Sequence, residues 1–297
     1  MRIGINLYGL QDWFGGDFSS VIELVRLADQ KGIDFVSLAE HVVMSENLQH
    51  YPYGEYPGGP DGAWFEPIAV LAAIAGSTHR IRLTTGILIG ALRPAVLLAK
   101  QLATLDVISR GRVTIGLGVG WQKEEYDAAG VPWENRYSRL EEQVKVCRQL
   151  WREAPATFHG RTVQYDRIYS LPAPTHKDGI PIWLGLAPTD RNIQRIAEYG
   201  DGWIPMEEDP AKLKVAIDRL KAEFRVQGRD PSTLGVRGSP KMEFRADGAP
   251  DLGRTLANIP ALIDAGVTDV EFSPVSFCSG PEELEAFYER ILEAKVQ

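Results

Sequence analysis

A single-domain (β/α)8 TIM barrel spanning residues 1–297, with insertions at its C-terminal mouth, is the fold class the sequence predicts. Three observations carry it. Short apolar runs rich in Val and Ile alternate eight times with longer segments of helical period, as a parallel sheet with covering helices requires. The length of 297 residues is one that such barrels reach as a single unit. Helix-ending signals stand where the alternation wants them.

Taken in order, the strands are expected at about residues 2–8, 33–39, 80–89, 112–119, 181–185, 201–205, 233–244 and 267–274. The stretches between them carry apolar positions three and four apart, as in Val21, Leu24, Val25, Leu27 and Ala28, or Leu213, Ile217, Leu220 and Phe224. Ser19 and Ser20 form an expected N-cap region, and Pro281 with Glu282 and Glu283 forms the first turn of the last helix. Gly32 and Gly266 fall where a left-handed C-cap precedes the next strand. Residues 42–65 and 153–179 resist regular structure. The first of these is rich in aromatics and turn formers (Tyr51, Tyr53, Tyr56, Pro57), and as a loop after a strand it is a candidate wall or lid at the mouth, against the alternative of a plain surface loop.

Composition narrows the function. Hydrophobic residues make up 44% and charged residues 24%, enough apolar material for a sizeable core. A net charge of −8 disfavours nucleic acid and anionic membrane as partners, because both need clustered Lys and Arg, and leaves a small-molecule substrate. Cys147 and Cys278 make neither a disulfide framework nor zinc spacing, so a reducing, cytoplasmic setting is expected. Met1 and Arg2 lead straight into a strand with no signal core, and no run of about 18 apolar residues is present for a membrane span. Four of the five His (His50, His79, His159, His176) fall in predicted loops, and no metal site is expected.

The second strand ends in Ala39-Glu40-His41, an acid and an imidazole where a barrel presents catalytic groups. Neighbours on a strand point to opposite faces, so one of the two aims into the mouth while the other turns aside, unless the turn reorients both. The third strand carries Thr84, Thr85 and Gly86, and glycine inside a buried strand marks a bulge or the close approach of a ligand, or else makes room for a large neighbour. Gly116-Leu117-Gly118-Val119-Gly120 before Trp121 has little side-chain bulk, a surface against which a planar ring system can lie. Gly185-Leu186-Ala187-Pro188-Thr189 precedes a helix over residues 190–199 whose first N–H groups suit a phosphate, although Asp190 and Thr189 are equally suited to capping that helix. Trp13, Trp64, Trp121 and Tyr53 are candidates for an apolar, water-excluding pocket or for ordinary core.

Together these residues resemble the luciferase-like monooxygenase superfamily, in particular its branch of oxidoreductases that use coenzyme F420, a 5-deazaflavin. The likeness covers most of residues 1–205. It is carried by Glu40-His41-Val42-Val43 with Tyr51-Pro52-Tyr53, by the run from Arg82 to Ile89 through Arg93-Pro94 to Gln101, and by Ala103-Thr104-Leu105-Asp106. Gly111-Arg112 to Trp121, Glu124-Glu125-Tyr126, Gly130-Val131-Pro132, Pro181-Ile182-Trp183 and Gly200-Asp201-Gly202-Trp203 complete it. The resemblance implies a tricyclic ring standing on the mouth beside a non-prolyl cis peptide, here between Gly86 and Ile87 next to Thr85. It implies cofactor contacts along Gly118, Val119, Gly120 and Trp121 and at Tyr137, and a phosphate loop at Gly185, Leu186 and Ala187 that relies on backbone donors.

His41 matches the position of an imidazole near the reacting carbon and would supply or accept the proton that accompanies a hydride, with Glu40 setting its tautomer. Many deazaflavin members have Asp in place of Glu40, and the Glu-His pair also occurs in flavin-using members. Hydride transfer between F420 and a small organic substrate is therefore the first expectation. An FMN-dependent monooxygenase using reduced flavin and O2 is the alternative, and a non-catalytic flavin-binding barrel the third. A homodimer is expected by analogy.

Overall fold

Every residue of Phe35–Leu38 on one strand, and of Val113–Gly118 on another, is buried, so both faces are covered, which is the burial a parallel strand meets inside a ring of helices. The computed structural model describes residues 1–56 and 58–295; Pro57 of the 42–65 stretch lies outside the described residues. Its strands are β1 (Arg2–Asn6), β2 (Phe35–Leu38), β3 (Arg82–Thr85), β4 (Leu88–Ile89), β5 (Val113–Gly118), β6 (Ala156–His159), β7 (Gln164–Ile168), β8 (Ile182–Leu184), β9 (Gly202–Trp203), β10 (Gly235–Gly238) and β11 (Asp269–Phe272). All but β6 and β7 pair in parallel in the order β3-β2-β1-β11-β10-β9-β8-β5-β4, and β3 also pairs with β5, closing the ring. Because β3 and β4 are successive pieces of one stave, the barrel has eight staves, as predicted.

The break in that stave falls at the peptide between Gly86 and Ile87, which is cis. Below it Leu83 and Thr84 pair with Val113 and Thr114; above it Leu88 and Ile89 pair with Leu117 and Gly118.

The covering helices are α1 (Phe18–Lys31), α2 (Pro67–Ser77), α3 (Ala95–Ser109), α4 (Lys123–Ala128), α5 (Arg136–Arg152), α6 (Asp190–Tyr199), α7 (Pro210–Val226), α8 (Leu252–Leu256), α9 (Ile259–Ala265) and α10 (Leu284–Glu293). On α7 the predicted stripe of Leu213, Ile217, Leu220 and Phe224 is fully buried. Each such side chain contributes about 1.5–3 kcal/mol. Gly32 and Gly266 close α1 and α9 with φ of 98° and 105°, the left-handed caps expected.

Four expectations need correction. Asp17, not Ser19 or Ser20, is the N-cap of α1: its carboxylate accepts from Ser19 N at 2.9 Å, and both serine hydroxyls donate to it. The 153–179 stretch contains the antiparallel hairpin β6–β7. The strand expected at 233–244 stops at Gly238, ahead of Pro240, which lacks the N–H a ladder needs. The stave expected at 201–205 is only two residues long, Gly202 and Trp203. Among the described residues no helix is long and apolar enough to cross a membrane.

Candidate active site

Beyond the end of β2 the chain runs through Ala39, Glu40 and His41, and the two titratable side chains reach different partners. Glu40 turns inward under the segment that follows the cis peptide. Its Oε2 accepts from Ile89 N and from Arg93 Nη1, both at 2.7 Å, and its Oε1 accepts from Arg93 Nη2 at 2.5 Å. Arg93 also pairs with Glu66 at 2.8 Å. The expectation that Glu40 sets the tautomer of His41 is therefore wrong: both of its oxygens are spent on β4 and Arg93.

That work falls to Glu125, in the first turn of α4, whose carboxylate is wholly buried. One oxygen accepts from Val42 N at 2.8 Å and the other lies 3.2 Å from His41 Nδ1. A carboxylate only accepts, so the hydrogen bond to Glu125 needs a proton on Nδ1 and leaves Nε2 as the nitrogen open to the mouth. Among the described residues no protein group hydrogen-bonds that Nε2. Gln122, just before α4, fixes the same turn: its Oε1 accepts from Ser45 N at 2.9 Å, and its Nε2 lies 3.0 Å from Met44 Sδ and 3.2 Å from His41 Nδ1. The sequence offered one signal for Glu125, an acid next to the buried Tyr126 in a short helix just after the Gly-rich strand.

The 42–65 loop walls this imidazole with rings. Trp64 lies 4.6 Å and Trp121 5.7 Å from the His41 ring, both edge-on, and Tyr8 stacks on Trp64 at 4.3 Å. Tyr51 bridges Tyr56 and Trp121 at 5.2 and 5.3 Å. Burial pushes the Tyr56 phenol up to about 12, so it stays a neutral hydroxyl at working pH. Of the four aromatics singled out in the sequence, Trp64 and Trp121 stand at His41. Tyr53 packs on Tyr51 at 5.5 Å, and Trp13 packs against the main core instead.

The glycine-rich surface has a different use from the one expected. A Cβ on Gly118 would overlap Ile87 Cδ1, and one on Gly185 would lie 2.8 Å from Ile87 Cγ2. The missing side chains thus make room for Ile87, rather than leaving bare floor for a ring at these two positions. Thr85 is spent in the same way: its hydroxyl donates to Gly116 O at 2.8 Å and accepts from Gly116 N at 2.9 Å. Val119 is buried, while Gly120 (φ 65°) is only partly covered and carries the chain to Trp121. Tyr137 stands on the first turn of α5, 5.0 Å from the Arg136 guanidinium and 4.9 Å from that of Arg195.

Beyond β8, Leu186 is buried and its carbonyl accepts from Trp203 Nε1, whereas Ala187 is exposed with its carbonyl taken by Asn192 Nδ2. Thr189 is the N-cap of α6, accepting from Asn192 N. Asp190 turns its carboxylate outward to Arg219. The N–H groups of Asp190 and Arg191, in the first turn, have no intrahelical acceptor and face outward from the helix start.

Arg237, buried on β10, was missed in the sequence. Its guanidinium donates to Thr84 Oγ1 at 2.6 Å and to Thr85 O at 2.7 Å, with Glu271 at 3.4 Å, and so holds the end of β3 just before the break in the stave.

An eight-stave barrel with an imidazole–carboxylate pair in an aromatic mouth is the architecture on which barrel enzymes build their sites. The chain belongs to the luciferase-like monooxygenase family, whose model matches residues 3–249. It is similar to an uncharacterised protein of Mycobacterium tuberculosis, with 31% identity over 69% of this chain and 73% of that one. Among solved structures it shares the fold of the monooxygenase RslO1 from Streptomyces bottropensis (TM-score 0.77, 23% identity, 99% and 98% of the two chains). It also shares the fold of an F420-dependent secondary alcohol dehydrogenase in complex with an F420–acetone adduct (TM-score 0.77, 19% identity, 99% and 98%). The family supports an oxidoreductase.

Proposed function

We propose that the chain is an F420-dependent oxidoreductase in which His41 moves the proton that accompanies a hydride. The observation that carries this reading is the pair His41 Nδ1–Glu125 Oε2 at 3.2 Å inside an aromatic wall. The residues present fit a three-ring cofactor: an apolar mouth suits a flat ring, and the two open N–H groups at the start of α6 suit a phosphate, with the charge of Asp190 drawn off by Arg219. The bound deazaflavin would supply two-electron hydride chemistry. His41, neutral and protonated on Nδ1, accepts a proton on Nε2 from a substrate alcohol; in the reverse direction the imidazolium returns it to the carbonyl oxygen. Glu125 holds the ring and balances the imidazolium charge. Trp64, Trp121 and Tyr56 exclude water from the transfer.

A second reading, an FMN-dependent monooxygenase using reduced flavin and O2, is supported by the family description and by the likeness to RslO1. The cofactor retained after expression in a host that makes both kinds separates the two, read by absorption and fluorescence. F420 retained, with turnover that is the same without oxygen, supports the first reading. FMN retained, with turnover that needs oxygen, replaces it by the second.

A further inference from the structure

The N-terminal end of the barrel, opposite His41, is not a flat floor. A cleft of about 420 Å³ opens there, and Arg2, Arg82, Arg148, Arg152 and Lys177 line it against the carboxylates of Asp178 and Asp201. Five cations to two acids is the reverse of the whole chain, whose net charge is −8.

The partners sharpen the imbalance. Arg2 is neutralised by Asp269 through contacts of 2.6 and 2.8 Å. Arg148 shares Asp201 with Arg229, at 2.9 and 3.2 Å. Among the described residues Arg152 donates only to the main-chain carbonyl of Asp178, at 2.7 and 3.1 Å. Arg82, half-buried at the head of β3, donates to a neutral hydroxyl, Thr114 Oγ1, at 2.8 Å. Among the described residues neither Arg82, Arg152 nor Lys177 has a carboxylate within 4 Å, and in the same set Arg148 Nε is buried with no acceptor. A desolvated cation with no anion in contact is costly, and at Arg82 burial first, and then the nearby Arg2, push the pKa down against the opposite pull of the more distant Asp269 and Asp106. Arg2, Arg82, Thr114 and Trp183 also line a smaller cavity that reaches Thr84, Thr85 and Arg237, so these four residues stand between the cleft and the barrel interior.

We propose that this cleft is a second ligand site that binds a multiply charged oxyanion of the phosphate class, with Arg82 at its floor and Arg152 and Lys177 at its rim. Guanidinium groups bind phosphate oxygens in pairs, and the room beyond the arginines admits the small organic body of a phosphate ester.

The test is titration of the full chain with inorganic phosphate, pyrophosphate and glucose 6-phosphate, by calorimetry and by thermal midpoint, at constant ionic strength set with sodium chloride. Saturable binding with a midpoint rise of several degrees is expected. Arg152→Ala and Lys177→Ala should each weaken it by about tenfold, the loss of one charge-assisted contact, with the ligand-free midpoint unchanged. Arg82→Met should abolish it, and the two exposed rim variants keep the test decisive if Arg82→Met does not fold. Tighter binding of the sugar phosphate than of phosphate identifies an ester as the ligand; equal binding identifies the free ion. A response no larger than that to sodium chloride overturns the proposal. So does a response that survives both rim substitutions, which puts the anion at the C-terminal mouth.

Discussion

Arg237 Nη2 donates to the carbonyl oxygen of Thr85 at 2.7 Å, from a side chain that is 4% exposed. Its Nη1 holds Thr84 Oγ1 at 2.6 Å, and Glu271 Oε1 lies 3.4 Å away as its counter-charge. Arg237→Met removes the cation and both donors, and leaves Glu271 beside an apolar group. A loss of about 3 kcal/mol in urea unfolding is expected. Part of that loss comes from the stranded carboxylate, so Glu271→Gln in the Arg237→Met background should recover some of it. A double variant no more stable than Arg237→Met alone would show that the ion pair is idle.

Gly118 and Ile87 occupy one space from two strands. Gly118→Ala places a methyl group on Ile87 Cδ1, and overpacking of this kind costs about 1–3 kcal/mol. Ile87→Val or Ile87→Ala alone costs stability by leaving a gap, but combined with Gly118→Ala it should be less harmful than the sum of the two. Thermal midpoints of the three variants settle it; simple additivity would mean that the two side chains do not compete.

The staves were legible because both faces of a parallel strand are buried and so read as apolar runs, and His41 was legible because it stands where such a run ends. The hairpin β6–β7 was not, since most residues of β7 are exposed and give no period to find. The partners of the acids were hidden for another reason. Glu125 lies 84 residues from His41, and Glu40 lies 53 from Arg93; only closure of the barrel brings each pair together. Sequence adjacency pointed to Glu40 as the partner of His41, but Arg93 and Ile89 N take both Glu40 oxygens. The glycines of β5 were correctly seen as lacking bulk, but bulk supplied from the neighbouring stave cannot be read from one strand alone.

Burial pushes the Cys147 thiol up to about 12, and burial followed by Glu283 and Glu282 pushes Cys278 up to about 11. At pH 8 on the order of one Cys147 in ten thousand is thiolate, so neither cysteine should react with a disulfide reagent until the chain unfolds, when both should. The linkage sign follows: the folded pKa lies above the ordinary 9.0, so the folded state keeps a proton that the unfolded chain releases. Stability from this source is complete below pH 9 and falls as pH rises from 9 towards 12. Cys147→Ala should flatten the alkaline limb of stability against pH. Rapid labelling of the native protein at pH 8 would contradict both statements.

His41→Ala should lower kcat by about 10²–10⁴-fold, the usual worth of a positioned acid–base, while cofactor affinity read by fluorescence changes little. Glu125→Gln is the sharper test, because the amide still accepts from Val42 N and leaves the turn in place. With its oxygen kept on Val42 N, the amide turns its NH2 group to Nδ1, which must then accept, so the proton moves to Nε2 and kcat should fall by about 10-fold or more. Glu40→Gln touches neither nitrogen of His41. Its effect should be on stability, through Arg93 and Ile89, with kcat little changed. If Glu40→Gln lowers kcat and Glu125→Gln does not, the assignment of the two acids is reversed.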